Sequence, residues 1–209
     1  MRRHIRCMAL SEQEHPVSLA VVATAYDIDP VTPDRWDDLL RLFGPNGVYN
    51  CWCTWWLLSN REWEAAKADE RKGLIERMVA DKQVPGLLAY AGGEPVGWVA
   101  VGPRARYARM MSPRSRVFRP LDDDPSWVIN CFFIHKRWRG KGVAAALLSA
   151  AVVFARSRGA GRIEGYPKDT TLKKTTNAEL FVGSLQMFLD AGFTEITRIG
   201  DRPIVRSEG

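Results

Sequence analysis

The residues that point most clearly to a chemical function form a basic turn at 135–142, HKRWRGKG. Its two glycines, Gly140 and Gly142, give the backbone of the turn conformational freedom. It follows an apolar run at 128–134 whose β-branched and aromatic residues predict a buried strand. It precedes an apolar segment at 143–155 with helical spacing. Such a turn leaves the first N–H groups of the helix unpaired at the positive end of its dipole. The pattern therefore predicts a site for a phosphate or pyrophosphate. Because glycine has no side chain, the anion can approach the backbone closely.

The spacing within this turn separates it from other anion-binding loops. Glycine often serves strand-to-helix geometry alone, so a glycine turn by itself has low specificity. The turn is shorter than a P-loop and lacks a terminal Gly-Lys-Ser or Gly-Lys-Thr, and it does not have the three spaced glycines of the dinucleotide fingerprint. The spacing Arg139-x-x-Gly142-x-Ala144, five residues after Ile134, resembles the signature of the GNAT superfamily, the acyl-CoA-dependent N-acetyltransferases.

The resemblance implies acetyl-CoA as the acyl donor, with no metal. The main chain of the central strand would pair with the pantetheine amides, and N–H groups of the turn would hold the pyrophosphate. Arg139 and Lys141 would add supporting charge, while Phe132 and Ile134 could equally serve the core. The implied cosubstrate site comprises Phe132, Phe133, Ile134, Arg139, Gly140, Lys141, Gly142, Val143, Ala144 and Ala145.

The implied reaction needs a base, because an amine with a pKa of about 10 is largely protonated at neutral pH. By the resemblance, Glu164 is the expected catalytic base, since it lies in the strand predicted after the central helix. Asp124 and Asp169 are the competing carboxylates. His135 is better suited to an electrostatic or structural role beside the turn.

The residue that would protonate the leaving thiolate in many members of the family is absent from this chain. Many members carry a tyrosine in the helix before the final Gly-Phe, where this chain has Phe188, which has no proton to give. Tyr166, Ser184 or a water would then replace the acid. Alternatively, the thiolate leaves without one, because a thiol has a pKa of only about 8.5.

The elements that position these residues follow a recognisable order. The sequence predicts strands at 18–26, 86–101 (a hairpin), 128–134, 162–166, 194–199 and 203–206, and helices at 32–44, 59–79, 143–155 and 178–191. Over residues 17–206 this order, with the segments at 95–98 and 191–193, is similar to the GNAT fold. We therefore expect an α/β fold (an α+β mixed sheet) whose central strands splay apart and are flanked by helices. Residues 17–209 would form one domain, and residues 1–16 a loose extension.

Composition and charge narrow the classes of partner. The chain has 209 residues, 46% hydrophobic, and a net charge of +6, which favours anionic partners such as the phosphates of CoA. Six arginines between Arg104 and Arg119 could bind an anion, although a solvated loop is the simpler interpretation. No nucleic-acid-binding signature accompanies them, and no apolar run is long enough for a membrane span. We expect neither nucleic acid nor a membrane as partner.

Cysteine use indicates the compartment. The four cysteines form neither a paired framework nor a zinc spacing, so free thiols in a reducing cytoplasm are expected. A short apolar run at 17–23 resembles part of a signal peptide, but Glu12 and Glu14 stand where a basic region should adjoin it. The expected localisation is cytoplasmic.

The tryptophan-rich stretch is the feature of the sequence that bears on the acceptor. A tryptophan-rich stretch at 49–58 could pack in the core or wall an acceptor pocket, and with nearby carboxylates it would suit a cationic amine. The expected function is transfer of an acetyl group to a primary amine of a small molecule or protein. A different acyl donor, or a GNAT-fold binding or regulatory module, is the alternative. The resemblance also implies a tendency to form homodimers.

Overall fold

The computed structural model describes residues 26–118, 120–172, 174–176 and 178–209. The predicted extension at 1–16 and all but the last residue of the strand predicted at 18–26 lie outside this range. The strands are β1 (Asp27–Pro30), β2 (Gly86–Ala91), β3 (Glu94–Pro103), β4 (Trp127–Ile134), β5 (Arg162–Gly165), β6 (Thr194–Ile199) and β7 (Arg202–Glu208). The helices are α1 (Trp36–Phe43), α2 (Gly47–Asn50), α3 (Asn60–Ala65), α4 (Ala68–Ala80), α5 (Ala108–Met111), α6 (Val143–Ser157) and α7 (Leu185–Asp190).

The seven strands form one mixed sheet in the order β1-β2-β3-β4-β5-β7-β6. All neighbouring pairs are antiparallel except β4 and β5, which run parallel and pair only between Trp127–Ile129 and Ile163–Gly165. Pro167 follows soon after β5 and cannot donate to a ladder, so its position suits the end of a strand. Residues 130–134 of β4 therefore have no strand partner on the β5 side among the residues that the structure describes. The predicted fold class, with central strands that splay apart, is confirmed.

Both faces of the sheet are covered by apolar side chains. On one face α6 packs through Leu147 and Leu148 against β-strand residues such as Val99 and Ile129, all fully buried. On the other face α1 and the tryptophan-rich stretch pack against Trp98. The long apolar run that predicts a buried helix at 143–155 thus reflects burial of α6 against the sheet. Helix α6 ends before a left-handed glycine, Gly159 (φ 84°).

The helix predicted at 178–191 is wrong in its continuity. The segment consists of a 3-10 turn (Glu179–Val182), then Gly183 in a left-handed conformation (φ 80°), then α7. Ser184 caps α7 by accepting a hydrogen bond from the N–H of Met187 (3.3 Å). A left-handed glycine followed by a serine cap ends one helix and begins another.

Two other local predictions have definite outcomes. The helical region predicted at 59–79 begins with a capping box, in which the Ser59 N–H donates to the Glu62 carboxylate (2.8 Å) and the Glu62 N–H donates to the Ser59 hydroxyl (3.3 Å). The solvated-loop interpretation of the arginine-rich segment is wrong at its beginning, because Arg104 is only 5% exposed. No helix in the described part of the chain is long and apolar enough to span a membrane.

Candidate active site

A cavity of about 1230 Å³ lies along the open edge of β4. One end is formed by the turn before α6, and the other by the tryptophan-rich stretch and the segment from 109 to 118. The segment from Ala178 to Ser184 forms a further wall. The cavity exists because β4 and β5 separate after three paired residues, which leaves a gap in the sheet. A site of this size can hold an extended cosubstrate and a second small molecule.

The turn before α6 has the geometry of an anion site. Gly140 and Gly142 have φ angles of 72° and 82°, and a β-carbon on either would meet nothing within 4 Å. Space in front of the backbone is therefore open, and no side chain caps α6. Arg139 donates from its Nε to the carbonyl of Ile134 (3.2 Å), which holds the turn against the end of β4. The free N–H groups at the start of a 15-residue helix face a space that can take a phosphate.

The structure brings together nine of the ten residues assigned to the cosubstrate. Those that line the cavity are Phe132, Phe133, Ile134, Arg139, Gly140, Gly142, Val143, Ala144 and Ala145. Lys141 does not line it: its carbonyl accepts a hydrogen bond from the Tyr26 hydroxyl (2.7 Å), and its ammonium lies over the Trp138 ring, 4.8 Å from the centroid. Lys141 thus fixes the back of the turn.

Glu164, the predicted base, lies in a buried ion-pair cluster outside the cavity lining. Its side chain is 3% exposed. One carboxylate oxygen accepts from Arg104 (2.6 Å) and from the Tyr166 hydroxyl (2.7 Å), and the other accepts from Arg206 (2.8 Å). Both oxygens of this carboxylate are therefore already bonded to neighbouring side chains, and Glu164 does not line the cavity. This geometry favours a structural role for Glu164, and its assignment as the base stays a prediction.

The competing carboxylates are also engaged elsewhere. Asp124 forms an ion pair with Arg162 (3.0 Å). Asp169 accepts from the Thr171 hydroxyl (2.6 Å) and from Arg198 (2.7 Å), and these contacts lower its pKa to about 2. Neither residue lines the cavity. Among the residues that the structure describes, no Asp, Glu or His lines the cavity.

The candidates for the leaving-group acid differ in access. The Tyr166 hydroxyl donates to Glu164, and burial together with that carboxylate raises the pKa of the phenol, so it is not a ready acid. Ser184 lines the cavity. Phe188 is fully buried outside the cavity lining, and its ring lies against Gly165, where a β-carbon would come within 2.4 Å of Phe188 Cε1.

The tryptophan-rich stretch contributes to both the core and the cavity. Trp52 is buried against Phe43, as the packing interpretation predicts, whereas Trp55 and Trp56 line the cavity. The backbone here is unusual: five non-glycine residues have positive φ, namely Val48, Tyr49, Asn50, Trp52 and Cys53. Left-handed backbone at a β-branched residue is strained, and such strain concentrates at functional sites. Nothing in the sequence indicated this conformation.

Two thiols meet in the cavity wall. Cys131 of β4 donates a hydrogen bond to Cys53, with 3.4 Å between the sulfur atoms. This contact and burial raise the pKa of the Cys53 thiol well above its ordinary value, so it stays protonated. In the described part of the chain there is no group of histidine, cysteine and carboxylate side chains that could hold a metal ion.

Comparison with known proteins identifies the family. The family model described as Acetyltransferase (GNAT) family matches residues 49–172, more than half of the chain. The chain belongs to the GNAT acetyltransferase family. The matched residues include β4, the turn and α6. The match supports the interpretation of this chain as an acyltransferase with a fold that accommodates CoA.

Solved structures support the same fold. A histone acetyltransferase HPA2 and related acetyltransferase from Corynebacterium glutamicum is 18% identical, with a TM-score of 0.51 over 88% of this chain and 97% of that chain. The GNAT domain of S. lividans PAT is also 18% identical, with a TM-score of 0.50 over 88% of this chain and 90% of that one. A search of curated proteins finds no significant match.

Proposed function

We propose that this GNAT protein transfers an acetyl group from acetyl-CoA to a primary amine. The observation that supports this most strongly is the continuity of one cavity from the open glycine turn at 139–142, along the unpaired edge of β4, to the Trp55 wall. The turn suits a pyrophosphate, the strand edge suits an extended amide-bearing arm, and the far end leaves room for an acceptor.

The residues of the chain would act mainly through main-chain groups. Gly140, Gly142 and the first N–H groups of α6 would bind the pyrophosphate, while residues 132–134 would pair with the pantetheine amides. When bound, acetyl-CoA supplies an activated acyl group as a thioester. An N–H group on the open edge of β4 would donate to the acyl carbonyl and stabilise negative charge that develops there.

The proton of the acceptor amine is handled without a side-chain base in this account. No described residue of the cavity lining carries a carboxylate or an imidazole. Arginine side chains in the lining disfavour a second positive charge and thus lower the pKa of a bound amine. The acceptor would therefore react as the neutral amine, with its proton lost to water. The thiolate can leave unprotonated, because a simple thiol has a pKa of about 8.5.

Transfer can be tested by incubating the protein with acetyl-CoA and a panel of primary amines. The expected result is release of the free thiol of CoA, together with an increase in the mass of the acceptor by one acetyl group. The Gly142→Glu variant should lose the activity, because a carboxylate would enter the pyrophosphate space. The matched control is Gly159→Glu, which has nearly the same φ (84°) and open surroundings at the other end of α6. Binding of CoA without transfer to any amine would favour the regulatory alternative.

A further inference from the structure

We infer that the acceptor carries an oxyanion, a carboxylate or a phosphate, beside its amine, and that arginines at the far end of the cavity bind it. The inference rests on the proposed acetyl transfer and specifies its acceptor. Five arginines line the cavity. One of them, Arg139, belongs to the turn before α6. The other four form what we call the arginine wall: Arg61, Arg109, Arg114 and Arg202.

Arg109 is the best-fixed member of the arginine wall. Its guanidinium stacks on the Trp55 ring, 3.6 Å from the centroid, and its Nε donates to the Trp55 carbonyl (2.7 Å). Its Nη1 donates to the Asn60 side-chain oxygen. Its Nη2 is buried and has no hydrogen-bond partner among the described residues. Burial lowers the pKa of Arg109, which is the mark of a cation that lacks full compensation.

Arg202 approaches the cavity from the start of β7. It donates to the carbonyl of Tyr166 (3.0 Å), and burial lowers its pKa. Neither Arg109 nor Arg202 forms a salt bridge in the described part of the chain, although Glu64 acts electrostatically on Arg109 and Asp201 on Arg202. A preorganised guanidinium with unused donors favours carboxylate or phosphate oxygens, which it can bind through two parallel hydrogen bonds.

The arginine wall is separate from the pyrophosphate turn. Arg202 contacts Tyr166, which follows Gly165, and Gly165 is paired with Ile129 in β4. Arg139 is bonded to Ile134, five residues further along the same strand. At about 3.3 Å per residue, these positions lie roughly 16 Å apart along β4. A single pyrophosphate cannot occupy both places, so Arg202 is available to the acceptor.

The charge of the wall favours a different acceptor from the cationic amine that the sequence suggests. Tryptophans with nearby carboxylates would suit a cationic amine, but carboxylates are absent from the described lining. A diamine would bring a second ammonium next to unpaired guanidinium groups, which is unfavourable. An acceptor that carries an oxyanion balances the positive charge of the arginine wall. The same arginines favour the neutral, nucleophilic form of its amine.

The binding experiment uses inorganic phosphate and acetate as probes and tryptophan fluorescence as readout, because Trp55 is in contact with Arg109. It is performed in the Gly142→Glu background, in which the turn is blocked. We expect a saturable change for at least one probe, weakened roughly tenfold or more by a second change, Arg109→Gln. The matched control is Arg77→Gln, which removes an exposed cation of α4 outside the cavity. The tighter probe identifies phosphate or carboxylate as the ligand group.

Two binding results would overturn the inference: no saturable change with either probe, or equal affinities with and without Arg109→Gln. Because this assay needs no CoA, its outcome is independent of the proposed acetyl transfer. A kinetic assay in the wild type compares ethanolamine with O-phosphoethanolamine and 4-aminobutanamide with 4-aminobutyrate. We expect kcat/KM to favour the anionic member of a pair by about tenfold or more, and Arg109→Gln to remove that preference. Faster transfer to the uncharged members would also overturn the inference, while leaving acetyl transfer itself supported.

Discussion

Gly97 of β3 lies directly against Val143, the first residue of α6: a β-carbon on Gly97 would come within 2.7 Å of Val143 Cγ1. The same β-carbon would lie 3.0 Å from Leu147 Cδ1 and 3.1 Å from Ile134 Cδ1. The missing side chain therefore lets the beginning of α6 approach the sheet, close to the end of β4. This approach sets the position of the turn at 139–142 relative to the strand edge.

Gly97→Ala should lower the free energy of unfolding by about 1–3 kcal/mol, because the added methyl overpacks the contact between β3 and α6. It should also weaken CoA binding, since the turn before α6 would shift. Urea denaturation and calorimetric titration measure the two effects. Gly161→Ala is the matched control, because a β-carbon there meets nothing within 4 Å. Equal effects of the two substitutions on stability would contradict this account of the contact.

Glu164→Gln should destabilise the fold strongly, by about 3–5 kcal/mol, because it leaves the buried Arg104 without its counter-charge and removes the buried partner of Arg206. Asp122→Asn is the control: Asp122 pairs with Arg206 as well, but it is an exposed partner, so its loss should matter much less. Below its melting temperature, Glu164→Gln should keep the pH dependence of turnover. If stability and CoA affinity were unchanged while turnover at neutral pH collapsed, Glu164 would be the base after all.

Phe188→Tyr should not increase the rate of transfer, although it restores the residue type of many family members at this position. The Phe188 ring is fully buried and contacts Gly165 and Phe193, so an added hydroxyl would need a partner in an apolar site. We expect a loss of roughly 1–3 kcal/mol in stability. Phe181→Tyr is the control, because that ring is 37% exposed. A faster variant with a new acidic limb in its pH profile would show that the hydroxyl reaches the leaving group.

Asp169 should make the fold sensitive to acid. Its pKa is lowered to about 2 by the Thr171 hydroxyl and by Arg198, from an ordinary value of about 3.8. A carboxyl group whose pKa is depressed in the folded state stabilises it fully above the unfolded pKa, and this stabilisation is lost as pH falls from about 4 towards 2. The difference in Tm between the wild type and Asp169→Asn should therefore be constant from pH 5 to 7 and shrink below about pH 4. A constant difference down to about pH 2.5, well inside this range, would be incompatible with the assigned contacts.

The parts of the structure that the sequence predicted are those with contiguous signals. The strand, glycine turn and helix from 127 to 159 are adjacent in the chain, so their periodicity and spacing suffice to predict them. The helix predicted at 178–191 fails because apolar spacing does not reveal the left-handed Gly183. The environment of Glu164 depends on Arg104, 60 residues away, and the Trp55 stack on Arg109, 54 residues away. Such pairings arise only when the sheet brings distant segments together.

Calorimetric titration of acetyl-CoA into the wild type, Gly142→Glu and Gly159→Glu tests whether the glycine turn binds the cosubstrate. We expect micromolar binding to the wild type, similar binding to Gly159→Glu, and none to a folded Gly142→Glu. The two variants share a left-handed glycine backbone at the ends of α6, so strain alone would affect both. Absence of binding to a folded wild type, or equal loss in both variants, would contradict the assignment of the glycine turn as the cosubstrate site.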